Sequence, residues 1–218
     1  MKIYKIPEKL KTIIFDIDET LYTNHEYAQF QIDVLIDRYA TEIGISSNEA
    51  HKNVEEYQQN YEKSHNGKKI SLGNTLKALG IPIATTTLWR NELIQPEKFL
   101  QADSRLQSVL EELKKSFSLI CVTNNSVLPA TKTLKALGIE NIITEIIGLD
   151  VSHVSKPAKE PFIMAAEKTG AKVEECLAVG DRFFIDIDLP MQIGMGGILV
   201  DGVEDIYKFP ALLSASAY

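Results

Sequence analysis

Near the N-terminus the chain reads Thr12-Ile13-Ile14-Phe15-Asp16-Ile17-Asp18-Glu19-Thr20, and this segment sets the architecture. Four strand-favouring residues lead directly into two carboxylates, Asp16 and Asp18. In an extended chain, this i and i+2 spacing turns both side chains to the same side. Two acids at the end of a buried strand are costly unless a cation, a proton or a reaction uses them. Taken alone, the segment favours a strand that runs into a polar turn, so the rest of the chain has to decide.

The composition is that of an ordinary soluble globular protein, with 218 residues of which 44% are hydrophobic and 24% charged. This length allows one large domain, or a core domain that carries a smaller one. The formal net charge is −7 and no basic stripe is present. A nucleic acid polymer is therefore disfavoured as a partner, whereas a small phosphorylated metabolite is not.

Targeting and redox features favour a cytoplasmic protein. The N-terminus lacks the pattern of a signal peptide, and no apolar run approaches the roughly 20 residues that a membrane span requires. The two cysteines, Cys121 and Cys176, each lie inside an apolar segment. We expect reduced core cysteines in neighbouring strands rather than a disulfide or a metal site. The sequence leaves open whether the chain is a monomer or a homodimer.

Short apolar runs that end in polar or glycine residues predict strands, and segments of helical periodicity separate most of them. This alternation predicts an α/β fold, a doubly wound Rossmann-like parallel sheet with right-handed crossovers. Ligands of such sheets bind beyond the carboxyl ends of the strands, where Asp16, Thr123 and Asp181 fall. The predicted strands are residues 12–16, 118–122, 142–147, 176–179 and 197–200, and two of the intervening helices are 128–137 and 161–168.

Residues 24–100 break the alternation and read as mostly helical. The predicted helices there are 26–43, 47–64, 71–79 and 85–95. We interpret this block as a helical cap domain inserted into a catalytic core formed by residues 1–23 and 101–218. From Val203 onward we expect a short helix and surface chain.

Four short motifs occur in order along the chain, each following an apolar strand or opening a helix. Together they resemble the pattern of the haloacid dehalogenase-like (HAD) superfamily, and the resemblance covers residues 10–22 and 115–200. The helical insert lies where the phosphoglycolate phosphatase and pyrimidine 5′-nucleotidase subtype has its cap. The motifs are Asp16-Ile17-Asp18-Glu19-Thr20, Val122-Thr123-Asn124-Asn125, Ser155-Lys156-Pro157 and Gly180-Asp181-Arg182-Phe183-Phe184-Ile185-Asp186.

The resemblance implies a Mg²⁺-dependent phosphatase in which Asp16 attacks phosphorus and forms an aspartyl-phosphate. Mg²⁺ suits an all-oxygen site. Its implied ligands are the Asp16 carboxylate, the main-chain carbonyl of Asp18 and Asp181, with Asp186 as a direct or indirect ligand. Asp18 is expected to protonate the leaving oxygen and later to activate water.

The resemblance further implies three groups that bind the phosphoryl oxygens. Lys156 supplies a fixed positive charge to these oxygens and to Asp16. The Thr123 hydroxyl and the Asn124 amide N–H can donate to the same oxygens.

Two departures bear on the substrate. Glu19 stands where relatives often have Gly or Asn, and we expect its side chain to point away or to reach a metal-bound water. The segment from Lys156-Pro157 to Pro161 is longer than the commonest spacing and closer to that of pyrimidine 5′-nucleotidases. A nucleoside monophosphate is therefore one candidate substrate.

Several alternatives stay open. Asp18 argues against a dehalogenase, and no lysine stands out for a phosphonatase, although Lys52 and Lys63 lie in the insert. A phosphomutase uses the same core and differs only in its acceptor. A non-catalytic phospho-ligand sensor or a receiver-like domain is less consistent with the complete set of catalytic residues. Tyr57 and Tyr61 can stack on a base, but packing within the cap is the simpler interpretation.

Overall fold

The fold is a six-stranded sheet in the order β1-β6-β5-β2-β3-β4, covered by helices. The computed structural model describes residues 1–215. All strand pairs are parallel except β1 with β6, which is antiparallel. The strands are β1 (Lys2–Lys5), β2 (Thr12–Phe15), β3 (Ser118–Val122), β4 (Ile146–Ile147), β5 (Cys176–Gly180) and β6 (Gly196–Leu199).

Strand β2 lies at the centre of the sheet between β3 and β5, and all four of its residues are buried. Ile13 and Phe15 belong to one hydrophobic cluster, whereas Ile14 belongs to a second. This alternation places apolar side chains on both faces, as expected for a parallel strand that helices cover on each side. The strand that carries Asp16 is therefore anchored in the core.

The helices follow the chain in two groups. The first group, between β2 and β3, is α1 (His25–Ile43), α2 (Ser47–Ser64), α3 (Leu72–Ala78), α4 (Ile83–Leu93) and α5 (Ser104–Lys114). The second is α6 (Val127–Ala136), α7 (Leu149–Ser152), α8 (Glu160–Thr169), α9 (Asp188–Gln192), α10 (Val203–Ile206) and α11 (Phe209–Ala215). A π-helical turn, Phe183–Ile187, leads into α9.

Helices α1 to α4 surround a hydrophobic cluster of their own. It includes Leu35 and Tyr39 of α1, Val54 of α2, Leu76 of α3 and Trp89 of α4. The four helices predicted for residues 24–100 are thereby confirmed, each within two residues at either end. This apolar centre stabilises the packing of the four helices against one another, while Tyr27 of α1 packs into the cluster that contains Phe15 of β2.

The structure corrects the sequence interpretation at three points. Strand β1 was not predicted, because its lysines and exposed side chains lack the apolar pattern of a buried strand. The predicted strand 142–147 shortens to β4. The N–H groups of Ile142 and Ile143 donate instead to the carbonyl of Ile139, at 3.0 and 3.1 Å, so these apolar residues pack in a turn.

The third correction concerns the cysteines. Both are free and buried, as predicted. They do not lie in neighbouring strands, because β2 separates β3 from β5. Cys121 pairs with Phe15 and Cys176 with Thr12 on opposite edges of β2.

Within residues 1–215, no helix combines the length and the apolar character needed to cross a membrane.

Candidate active site

The carboxyl ends of β2, β3 and β5 bring three predicted site residues to one edge of the sheet. Asp16 follows β2, and its N–H donates to the carbonyl of Val179 in β5 at 2.8 Å. Thr123 follows β3, and its N–H donates to the carbonyl of Ile147 at 3.1 Å. Asp181 follows β5 directly. Main-chain hydrogen bonds of the sheet therefore fix the positions from which these side chains start.

Lys156 lies at the centre of this group with its side chain 1% exposed. Its ammonium donates to Oδ1 of Asp16 at 2.7 Å, to Oδ1 of Asp186 at 2.6 Å and to the carbonyl of Val122 at 2.8 Å. Burial by itself lowers the pKa of Lys156, but the two carboxylates outweigh this effect and raise it. The ammonium is therefore a fixed positive charge.

The three acidic side chains Asp16, Asp181 and Asp186 each place an oxygen within 4.8 Å of the others. Burial raises the pKa of Asp16 to about 6 and that of Asp181 to about 7, with Lys156 and Arg182 opposing the rise. Burial also acts to raise the pKa of Asp186, but Lys156 and Arg182 lower it overall. The positive charges of the protein itself are therefore not sufficient to keep Asp16 and Asp181 at the pKa of an ordinary aspartate.

This donor set fits a divalent cation. Asp181 Oδ1 is buried and has no hydrogen-bond partner, although the Arg182 guanidinium lies 3.5 Å away. Asp186 is held by the main-chain N–H of Arg182, which donates to its Oδ2 at 3.1 Å. Three clustered carboxylates, one with an oxygen left without a donor, form the hard oxygen environment that Mg²⁺ prefers. Asp16, Asp181 and Asp186 are the side chains that could hold it.

Asp18 lies beside this cluster and is held by three donors. The Tyr22 hydroxyl and the Gln31 amide donate to its Oδ1 at 2.6 and 2.9 Å. The Asn125 amide donates to its Oδ2 at 3.0 Å and to the Gln31 carbonyl oxygen at 2.8 Å. This closed network fixes the orientation of the Asp18 carboxylate, with residues from both α1 and the β3–α6 loop.

The side chains of Asn124 and Thr123 have different hydrogen-bond partners. The Asn124 side chain accepts from the Lys156 N–H at 2.7 Å and donates to the Lys156 carbonyl at 3.3 Å. Asn124 therefore positions the main chain that carries Lys156. The Thr123 hydroxyl accepts from the Asn125 N–H at 3.1 Å, which leaves its own hydrogen available to a ligand.

The Glu19 side chain points away from the acidic cluster, which was one of the two expectations for this residue. Its backbone is left-handed, with φ at 56°. Its carboxylate accepts from the Asn24 N–H at 2.8 Å and lies 2.5 Å from Nδ1 of His25. Glu19 thereby binds the start of α1. The His25 side chain is 86% exposed, so its contact is with Glu19 at the surface.

A cavity of about 260 Å³ opens in front of the site. Its walls combine Asp18, Asn124 and Asp181 of the sheet edge with residues of α1, α3 and α4. A second cavity of about 640 Å³ shares Asp181 and Arg182 with it, and its lining mixes apolar side chains such as Phe183 and Phe184 with polar ones such as His51 and Lys69. Two cavities therefore adjoin Asp181.

Four residues of this site were missed by the sequence interpretation: Gln31, Arg90, Asn125 and Arg182. Gln31 had a signal, since it lies on the buried face of α1 between Tyr27 and Leu35 at four-residue spacing. A buried glutamine on an apolar face requires polar partners. Asn125 and Arg182 also had a signal, since each lies inside one of the four motifs and beside a predicted site residue. Arg90 had none, because only the fold brings it to the cavity.

Tyr57 and Tyr61, the aromatic residues of the insert that could stack on a base, do not line the cavity beside Asp18. Tyr57 and Tyr61 line a separate cavity of about 600 Å³ with His153, and Asp16 and Asp181 are not among its walls. Tyr61 stacks on His65 with ring centroids 3.8 Å apart. Stacking of a base on Tyr57 or Tyr61 stays a prediction, and any such base would lie in this separate cavity.

The fold and the site together form an α/β core with three clustered carboxylates, which could hold a metal ion, at the carboxyl edge of its sheet. The family model for haloacid dehalogenase-like hydrolases matches residues 10–189. The chain belongs to this haloacid dehalogenase-like hydrolase family.

Similar proteins agree with this assignment. A glyceraldehyde 3-phosphate phosphatase from Methanothermobacter thermautotrophicus is 26% identical over 88% of this chain and 86% of its own length. The pyrophosphatase PpaX from Oceanobacillus iheyensis is 26% identical over 79% of this chain and 75% of its own length. The structure of a HAD phosphatase from Thermococcus onnurineus matches with a TM-score of 0.64 and 20% identity, covering 94% of this chain and 98% of that one.

Proposed function

We propose that this protein is a Mg²⁺-dependent phosphatase that hydrolyses a small phosphomonoester through an aspartyl-phosphate. One observation carries the proposal, the buried contact of Lys156 with Asp16 and Asp186 beside an Asp181 oxygen that lacks a donor. A phosphoryl group next to a carboxylate is repelled unless positive charge neutralises both. Mg²⁺ would supply that positive charge. Its ligands would be the carboxylates of Asp16, Asp181 and Asp186 and the main-chain carbonyl of Asp18.

In the proposed reaction, Asp16 is the nucleophile. Its Oδ1 accepts from Lys156 at 2.7 Å, whereas Oδ2 accepts only a longer bond of 3.4 Å from the Arg182 guanidinium. Oδ2 is therefore the oxygen proposed to attack phosphorus in line with the leaving group. The Lys156 ammonium orients the attacking carboxylate, and the Thr123 hydroxyl has a hydrogen free to donate to a phosphoryl oxygen. The N–H of Asn124 is proposed as a further donor.

Asp18 is the proposed general acid and base. It would give a proton to the leaving oxygen as the phosphoryl group moves to Asp16, and then accept one from the water that hydrolyses the aspartyl-phosphate. Its three hydrogen bonds to Tyr22, Gln31 and Asn125 hold it in one orientation through both steps.

We also propose that residues 24–100 act as a cap that closes over the substrate, with residues 22–26 and 96–104 as the flexible linkers. The separate apolar cluster of α1 to α4 supports this division. The cap touches the core through a hydrogen bond of 2.8 Å between the hydroxyls of Ser71 and Ser155, the neighbour of Lys156.

Two alternatives remain for the reaction and the substrate. A phosphomutase would transfer the phosphoryl group from Asp16 to a second alcohol instead of water. A nucleoside monophosphate would place its base in the cavity of about 640 Å³, against Phe183, Phe184 and Ile36. The similar proteins, a glyceraldehyde 3-phosphate phosphatase and a pyrophosphatase, favour hydrolysis and smaller substrates.

The test is release of orthophosphate from p-nitrophenyl phosphate with Mg²⁺ and with EDTA, followed by a panel of nucleotides, sugar phosphates and phosphoglycolate. We expect release only with Mg²⁺, and mass spectrometry should detect a phosphorylated Asp16 on rapid quenching. Asp16→Asn should abolish turnover and leave the circular dichroism spectrum unchanged. Metal-independent release, or near-normal turnover by this variant, would exclude the proposed reaction.

A further inference from the structure

Arg90 of α4 is a buried cation for which the cap provides no counter-charge. The residue is 4% exposed. Its guanidinium donates to the carbonyl of Thr86 at 3.1 Å. Within residues 1–215, no carboxylate lies within ion-pair distance of it. A buried charge without a partner is unfavourable, so its presence calls for an anion from outside the chain.

The guanidinium faces the cavity of about 260 Å³ that also contains Asp18, Asn124 and Asp181. Nη2 lies 3.8 Å from the position that a Cβ of Gly73 would take, so the absence of a side chain at this residue leaves the cation accessible from the cavity. Burial lowers the pKa of Arg90 to about 10, with the field of Asp18 opposing the change, and the group stays charged at neutral pH.

The lining of the cavity restricts what Arg90 can bind. Asp18 and Asp181 are part of it, and the phosphoryl group of a substrate is expected beside them. Helices α1, α3 and α4 supply the remaining lining together with Arg90, which is the cation that these helices contribute. A compact molecule that spans the cavity therefore presents its non-phosphoryl end to the guanidinium, whose planar donors match a carboxylate or a phosphate.

We propose that Arg90 is a specificity-determining residue that binds a second anionic group on the alcohol part of the substrate. This inference rests on the proposed phosphatase function and refines its substrate class. The preferred substrate is a compact phosphomonoester, small enough for the cavity of about 260 Å³, that carries a carboxylate or a second phosphate at the end away from the reacting phosphorus.

A matched pair of substrates tests this directly. 3-Phosphoglycerate has a carboxylate where glycerol 3-phosphate has a hydroxymethyl group, and the two are otherwise identical. Glyceraldehyde 3-phosphate has an uncharged aldehyde at the same carbon. Propane-1,3-diol bisphosphate is the test substrate in which the second anionic group is a phosphate. We expect kcat/KM for at least one of the two anionic compounds to exceed that for glycerol 3-phosphate tenfold or more, and the better of the two identifies the anion.

Arg90→Gln should remove this preference. The ratio of kcat/KM between the anionic compound and glycerol 3-phosphate should fall at least tenfold. Arg90→Lys should retain part of the preference, because it keeps the charge and loses the planar fork. Arg105→Gln is the matched control, since this exposed arginine lies outside the cavity and pairs with Glu204 at 3.5 Å.

A binding measurement separates this proposal from the catalytic one. Calorimetry on Asp16→Asn and on the double variant with Arg90→Gln should show tighter binding of the anionic compound only in the first. Equal affinity of Asp16→Asn for the matched pair, or binding of neither compound, overturns the role of Arg90. Equal loss of activity on all substrates in folded Arg90→Gln and Arg90→Lys would also overturn it. Absence of phosphate release from every ester, with the binding preference intact, instead contradicts the phosphatase proposal.

Discussion

The ammonium of Lys156 lies 2.7 Å from Oδ1 of Asp16, although the two residues are 140 positions apart in the sequence. Both side chains are 1% exposed. A contact of this kind is retained only when the surrounding structure fixes both partners, because each charge loses its hydration on burial. The strand β2 and the loop before α8 therefore have to fold together for the site to exist.

Lys156→Met is expected to reduce stability as well as activity. Removal of the cation leaves Asp16 and Asp186 as adjacent buried carboxylates, and breaking a buried ion pair costs about 3–5 kcal/mol. The free energy of unfolding from urea denaturation should fall by that amount at pH 7. Lys159→Met, which changes an exposed lysine three residues away, is the control and should stay within about 0.5 kcal/mol of the parent. An unchanged unfolding free energy for Lys156→Met would contradict the role of this ion pair.

The acidic cluster predicts a pH dependence of stability without metal. The folded-state pKa is about 6 for Asp16 and about 7 for Asp181, above the value of roughly 3.9 for an unfolded aspartate. The folded protein thus holds protons that the unfolded chain has released. In EDTA the free energy of unfolding should fall by about 1–3 kcal/mol as the pH rises from 4 to 7. The lowered pKa of Asp186 acts only at more acidic pH.

Magnesium should reverse this trend, since it binds the deprotonated carboxylates. The increase in melting temperature on addition of Mg²⁺ is expected to be larger at pH 8 than at pH 5. Asp181→Asn serves as the comparison, because it removes the carboxylate whose Oδ1 has no donor. A Mg²⁺ effect of equal size in this variant would show that the ion binds elsewhere.

Gly180→Ala is expected to displace Asp186. A Cβ at this position would lie 2.4 Å from Cβ and 2.7 Å from Cγ of Asp186, closer than real contacts allow. The displaced carboxylate would lose its contact with Lys156, so activity should fall at least tenfold and stability by about 1–3 kcal/mol. Gly73→Ala is the comparison for stability. Its Cβ would approach no atom closer than 3.5 Å, and the fold should tolerate it.

Much of this arrangement could be predicted from local sequence patterns. Apolar runs located β2, β3 and β5, and the residues after them reach one edge because parallel strands share a direction. β1 could not be found in this way, because an exposed edge strand with two lysines carries no apolar pattern. Arg90 could not be predicted as a site residue for a similar reason, since its burial depends on how four helices pack and not on its neighbours in sequence.

The role of Asp18 as an acid can be tested through the residue that orients it. Gln31→Leu removes one of two donors to Oδ1 of Asp18 and the acceptor of the Asn125 amide. We expect kcat/KM for an alkyl phosphate to fall about tenfold, a fraction of the roughly 10²–10⁴ that general acid catalysis contributes. For p-nitrophenyl phosphate the fall should be less than about threefold, because p-nitrophenolate leaves without needing a proton.

The control for this experiment is Gln29→Leu, which changes an exposed glutamine of the same helix that binds Asp33. Both variants should show the parent circular dichroism spectrum. An equal loss on the two substrates in Gln31→Leu would indicate that Gln31 supports the cavity wall as a whole. A loss confined to the alkyl phosphate would instead place the proton transfer at Asp18, because only that substrate's leaving oxygen requires it.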